Sequence, residues 1–150
     1  MLERSVAVCW QSGRGFVPSA RTPAAGRQFV AATIDHVLGD SARRFREDCE
    51  LVASELLTNA VHAAASEVTL IMLVHHDRVR LTVCDDGGGV PVPRHPNEWE
   101  TSGRGLEIVA ALADDWGVER SGPTSTCVWA ELAVAAELTA SVSCQLRGVH

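Results

Sequence analysis

Between Asp40 and Gly87 the chain contains neither glycine nor proline. A stretch of that length without a breaker must form long regular elements. Its first half, centred on Ser54-Glu55-Leu56-Leu57-Thr58-Asn59-Ala60-Val61-His62, predicts a helix, because Leu, Glu and Ala favour that conformation. Apolar residues recur three or four apart at Phe45, Cys49, Val52, Leu56, Ala60 and Ala63, a stripe that faces a core. Beside it, Glu55, Asn59 and His62 share one helix face. A carboxylate, a carboxamide and an imidazole therefore stand at the border of a buried surface. The chain carries only two Asn, and this one sits mid-helix, where Asn is a mediocre choice. The helix alone leaves a solvated polar edge and a functional edge both open.

The rest of the chain supplies the partners of that helix. Ser5 to Trp10 reads as a strand, with Val6, Val8 and Trp10 on one face, and Gln11 to Arg21 as a loop with room for a short strand. A first helix starts near Thr22-Pro23 and stops near Gly39. Its broad apolar face holds Ala25, Phe29, Ala32 and His36 with Val30, Ile34, Val37 and Leu38. Asp40-Ser41 caps the second helix, which runs to about Ala65. Glu67 to Val74 and Arg78 to Cys84 form a hairpin, the second strand placing Val79, Leu81 and Val83 on one face. Between them, His75-His76-Asp77 reads as a solvated turn rather than a metal site, since adjacent residues on extended chain face opposite sides. A long loop with Pro91, Pro93, Pro96 and Trp99 leads to Ser102. A third helix opens at Gly103-Arg104-Gly105 and runs from Leu106 to Ala113. Asp114 to Arg120 and Thr126 to Val134 form a second strand pair around Ser121-Gly122-Pro123. Grouped hairpins and helices predict an α+β sandwich, with helices on one face of a mixed, largely antiparallel sheet. Residues 1–134 make one domain, and 135–150 a mildly helical tail without an assigned role.

Composition narrows the chemistry. A chain of 150 residues folds as one domain, burying about 70% of its unfolded surface. Apolar and charged fractions of 46% and 21% are those of a soluble globular protein. A net charge of −6 argues against a nucleic-acid or anionic-membrane surface. No apolar run approaches the ~20 residues of a membrane helix, and the N-terminus lacks a signal pattern, so the expected location is cytoplasmic. Five cysteines, an odd number with no two close, suggest small core residues rather than a disulfide framework or a zinc site. All thirteen basic residues are Arg. A P-loop or a protein-kinase fold each needs a Lys, so both are excluded. A bound nucleotide would be neutralised by backbone amides, Arg and a metal.

Three places could assemble such a site. Asp85 ends a strand and precedes Gly87-Gly88-Gly89. A carboxylate there can accept a hydrogen bond from an exocyclic amino group such as adenine's, and glycines permit close backbone approach and unusual dihedrals. A tight turn with a solvated Asp is the plainer alternative. Gly103-Arg104-Gly105-Leu106 opens a helix whose free amides and positive dipole end suit phosphate oxygens. On the central helix, the Asn59 oxygen is a hard ligand suited to Mg²⁺. Glu55, one turn away, can accept a proton from a hydroxyl attacking a γ-phosphate.

Taken together and in order, these motifs resemble the GHKL superfamily of ATPase domains, found in gyrase, heat-shock chaperones, histidine kinases and MutL. Glu55-Leu56-Leu57-Thr58-Asn59-Ala60 resembles its N box, Asp85-Asp86-Gly87-Gly88-Gly89-Val90 its first glycine box, and Ser102-Gly103-Arg104-Gly105-Leu106-Glu107-Ile108-Val109 its second. Ala113–Val118 and Val128–Leu132 are most similar to the stand-alone anti-sigma-factor serine kinases and their actinobacterial relatives. The resemblance spans about Ala20 to Leu132 and implies a two-layer sandwich of the Bergerat type binding ATP and Mg²⁺. It implies that Asn59 ligates Mg²⁺, that Glu55 is the general base, and that Asp85 reads the adenine amino group. Gly87 and Gly89 would shape the adenine pocket, Gly103, Arg104, Gly105 and Leu106 would meet the phosphates, and Thr126 would support Asp85. The segment from Pro91 to Ser102 would be the ATP lid. The implied partners are a small antagonist protein phosphorylated on serine, a sigma factor, and a second copy in a homodimer. Two residues depart from the pattern. Ser125 stands where Gly often precedes the threonine, and Thr101 where some anti-sigma kinases carry Arg. Arg104 is a candidate substitute for that charge. The alternative to a kinase is a non-catalytic nucleotide-binding module that works by partner binding.

Overall fold

A computed structural model describes residues 8–64, 66–75, 77–87, 103–135 and 138. Its elements are β1 (Val8–Phe16), α1 (Thr22–Leu38), a 3₁₀ turn (Asp40–Ala42), α2 (Arg43–Ala63), β2 (Val68–His75), β3 (Arg78–Asp85), α3 (Gly103–Leu112), β4 (Asp115–Arg120) and β5 (Thr126–Ala133). Among the described residues the sheet has five strands in the order β1-β2-β3-β5-β4, and every ladder is antiparallel. The sheet and three helices make an α+β sandwich with one core.

Alternation in β3 sets the inner face. Val79, Leu81 and Val83 are buried, opposite Val74, Met72 and Leu70 of β2 and Leu132, Ala130 and Val128 of β5. Helix α2 lays Cys49, Val52, Ala53, Leu56, Leu57 and Ala60 onto this face, close to the stripe its sequence predicts. Helix α1 buries Gly26, Val30, Thr33, Ile34 and Leu38. Ala32 and His36, expected on its apolar face, are exposed instead. The reason is Gly26: a Cβ there would lie 2.1 Å from Leu57 Cδ1, so the two helices meet along the Gly26 ridge. His36 turns outward and its ring contacts that of Trp10 at 5.0 Å. Gly39, with φ of 82°, ends α1 in a conformation that side-chain-bearing residues avoid, and donates its amide to the Asp35 carbonyl.

Four further expectations need correction. Asp40 and Ser41 do not cap α2: they lie in the 3₁₀ turn, and Ala42 precedes α2 without a side-chain cap hydrogen bond. β1 does not stop at Trp10 but continues to Phe16 through Gly13 and Gly15, paired along its length with β2. The ladder supplied by β2 outweighs the poor strand preference of glycine. His75 is not in a solvated turn; it closes β2, buried, opposite Val8. Cys84 and Cys127, 43 positions apart, form a disulfide because the β3–β5 register sets them opposite each other. Cys49 is a core residue as expected, its burial pushing the thiol pKa up. Leu138, beyond β5, packs against the edge of the core. Among the described residues no helix is long and apolar enough to cross a membrane.

Candidate functional site

Asp85 occupies the last position of β3, on the core side of the sheet, with only 7% of its surface exposed. Alternation puts it there: it continues the series Val79, Leu81, Val83. Its Oδ1 accepts a hydrogen bond from the Gly87 amide at 2.9 Å. Desolvation raises its pKa, the Gly87 amide pulls it down, and the neighbouring charge of Asp86 raises it further. Thr126, fully buried, stands directly opposite on β5. A carboxylate and a hydroxyl therefore share one buried rung at the end of two central strands.

Gly87 draws that strand end against α2. A Cβ at this position would lie 1.7 Å from the Ala63 carbonyl oxygen, so only glycine fits. The need is for close approach alone, since its φ is not positive. This contact brings Asp85 to the C-terminal turns of α2, where Asn59 lies one turn before Ala63. Asp86 holds the same junction from the other side. Its carboxylate accepts hydrogen bonds from the Ser66 and Glu67 amides at 2.9 and 3.1 Å and from the Ser66 hydroxyl.

Asn59 Oδ1 is shielded from solvent and lacks a hydrogen-bond partner. Buried amide oxygens are almost always paired, so an orphan of this kind fits a ligand supplied from outside. A hard oxygen donor suits Mg²⁺, which takes few protein ligands and completes its shell with water and phosphate. Glu55 is half-buried one turn earlier, and desolvation raises its pKa. A carboxylate shifted in that direction is a stronger base. His62, expected on the same helix face at the border of the buried surface, is exposed.

Helix α3 packs against α2. Gly103, Arg104 and Gly105 form its first turn, and Leu106 behind them is half-buried. The side chain of Arg104, Gly89 and the lid from Pro91 to Ser102 lie outside the described residues. Residues 7–132 match the histidine kinase-like ATPase domain. The chain belongs to that family. It is also similar to the histidine kinase domain of the blue-light activated histidine kinase of Erythrobacter litoralis EL346, with 25% identity and a TM-score of 0.49. That match covers 81% of this chain and 64% of the other, so the chain spans just under two thirds of that domain. A search of curated proteins yields no match.

Within this histidine kinase-like ATPase domain, three features escaped the sequence reading. Asp86 and Ser66 are 20 positions apart and carry no local signal of their contact. Ala63 matters through its carbonyl, which no residue type announces. The disulfide had a usable signal: if Thr126 faces Asp85 across an antiparallel pair, then Cys84 must face Cys127.

Proposed function

We propose that this domain is an ATP-binding regulator of the anti-sigma serine kinase type, transferring a γ-phosphoryl group to a serine of a small antagonist protein and sequestering a sigma factor. The unpartnered Asn59 Oδ1, one helical turn from Glu55 and beside the Asp85 strand end, is the observation that carries this reading. Asp85 accepts a hydrogen bond from the adenine amino group, and Thr126 keeps its carboxylate in place. Asn59 would hold Mg²⁺, which when bound neutralises phosphate charge. The amides of Gly103 to Leu106 face the phosphates from the start of α3. Glu55 takes the proton from the attacking serine hydroxyl, and its raised pKa serves that transfer.

The test is phosphotransfer from γ-labelled ATP to a cognate antagonist, together with ATP affinity by calorimetry. Glu55→Gln should leave affinity intact and slow transfer by ~10²–10⁴-fold. Transfer at the wild-type rate in that variant removes Glu55 as the base. Thr101, where related kinases carry Arg, favours a second reading, a nucleotide-dependent binding module without transfer. ATP that stays intact beside every partner while Mg²⁺-dependent binding persists would decide for it. Arg104→Ala separates the two further: loss of transfer with binding retained makes Arg104 the substitute charge.

A further inference from the structure

We infer that Cys84–Cys127 is a thiol–disulfide exchange site through which a low-molecular-weight thiol sets the affinity of the adenine end of the nucleotide site. The inference rests on Asp85 being the adenine contact. Cys84 faces Cys127 one rung inside the pair Asp85–Thr126. Asp85 is the last residue of β3 and Thr126 the first of β5, so the site's rung is the terminal one. Terminal rungs open most readily. The disulfide is a covalent tie at the adjacent rung, and only Asp85 follows Cys84 before the chain leaves the sheet.

The two sulfurs lie on the opposite side of the sheet from the site. Asp85 and Thr126 point into the core with Val83 and Val128, whereas Cys84 and Cys127 alternate to the outer face beside Thr69 of β2 and Glu119 of β4. The three helices pack on the inner face, so a small thiol can approach the outer one without competing with a nucleotide. Cys84 is half-buried and Cys127 only 9% exposed, so the attack is assigned to Cys84, the less buried residue of the pair. Cys49, sealed in the core, takes no part.

The exchange balances without another reactant. A thiolate RS⁻ attacks Cys84 Sγ, the Sγ–Sγ bond breaks, and Cys127 leaves as a thiolate that takes up a proton. A second RS⁻ attacks the external sulfur of the mixed disulfide, releasing Cys84 and forming RSSR. The net change is one protein disulfide plus two RSH to two protein thiols plus RSSR, and RSSR drives the reverse. Opening the tie lets the Asp85–Thr126 rung separate, so the carboxylate is no longer held for the adenine amino group. The closed state binds ATP more tightly.

The experiment uses the full chain equilibrated at a series of glutathione-to-glutathione-disulfide ratios. Alkylation and peptide mass spectrometry report each cysteine, and calorimetry reports ATP affinity in the closed and open states. Cys84 and Cys127 are expected to convert together, and Kd for ATP to rise by about fivefold or more on opening, the lower end of coupling between linked sites. The Cys84→Ser/Cys127→Ser variant should bind like the open chain and ignore the ratio. Equal Kd in the two states, a pair that never changes state, or a double variant that still responds to glutathione each overturns the switch. Absence of ATP binding in both states overturns the nucleotide reading itself, and the wild-type comparison stands even if the double variant does not fold.

Discussion

Asp85 is a carboxylate held almost out of water in return for the Gly87 amide. Because its folded-state pKa lies above the ordinary 3.8, the folded chain binds the proton more tightly than the unfolded one. Folding stability must then fall as pH rises from about that ordinary value through the raised one. Asp85→Asn removes this titration while keeping the shape. Urea midpoints across that range should decline less steeply with pH in the variant, and ATP binding should be lost. An unchanged slope would mean the group does not titrate in folding. Asn59→Ala deletes an unpaired buried acceptor whose desolvation costs ~1–3 kcal/mol, so the variant should be no less stable than wild type. Calorimetry with and without Mg²⁺ should then show that ATP affinity no longer depends on the metal. For Glu55 the raised pKa shifts the acid limb of the transfer rate to higher pH than an ordinary glutamate would give.

At the scale of elements, two glycines set the close contacts, Gly26 between α1 and α2 and Gly87 between the end of β3 and α2. Gly87→Ala needs no forbidden dihedral, but its Cβ would overlap the Ala63 carbonyl, a backbone atom that cannot swing aside. The β3 end must therefore leave α2. We expect a loss of ~1–3 kcal/mol by denaturant unfolding, with ATP affinity falling alongside. Gly26→Ala is a different case, because the obstacle is a Leu57 methyl. Ala favours helix over Gly by roughly 1 kcal/mol, while overpacking costs about 1–3 kcal/mol. A double-mutant cycle with Leu57→Ala should be strongly non-additive, the pair costing less than the sum of its parts. Additive values would separate the two residues. The N-box helix was readable because its apolar stripe has the helical period over many turns. β1 was not, because what holds its glycines extended is the neighbouring strand rather than its own residues.

For the whole molecule, the disulfide joins strands on either side of the third helix, across 43 positions of chain. Cross-linking a loop of that length stabilises by ~2–4 kcal/mol, chiefly by restricting the unfolded chain. Reduction should lower the urea midpoint by a corresponding amount, and equal midpoints would show that the tie bears no stability. The outer face near it is polar and paired: Arg80 binds Glu131 at 3.0 Å and lies over the Trp129 ring at 4.1 Å. Single half-buried pairs of this kind contribute modestly to stability, so the core and the cross-link are expected to dominate unfolding.

The resemblance of the ordered boxes pointed to the family, while periodicity and breaker placement were sufficient to specify the α+β class, the extent of α1, the body of α2 and the hairpins. These are properties of local conformation and of residue spacing along one element, and each is written in consecutive residues. What depended on the folded chain was which distant groups face each other. Gly87 meets Ala63, Asp86 meets Ser66, Cys84 meets Cys127, and Asn59 Oδ1 is left without a partner. Each of these follows from strand register and helix docking. Those are set by burial summed over the whole core, so no single stretch of sequence carries them.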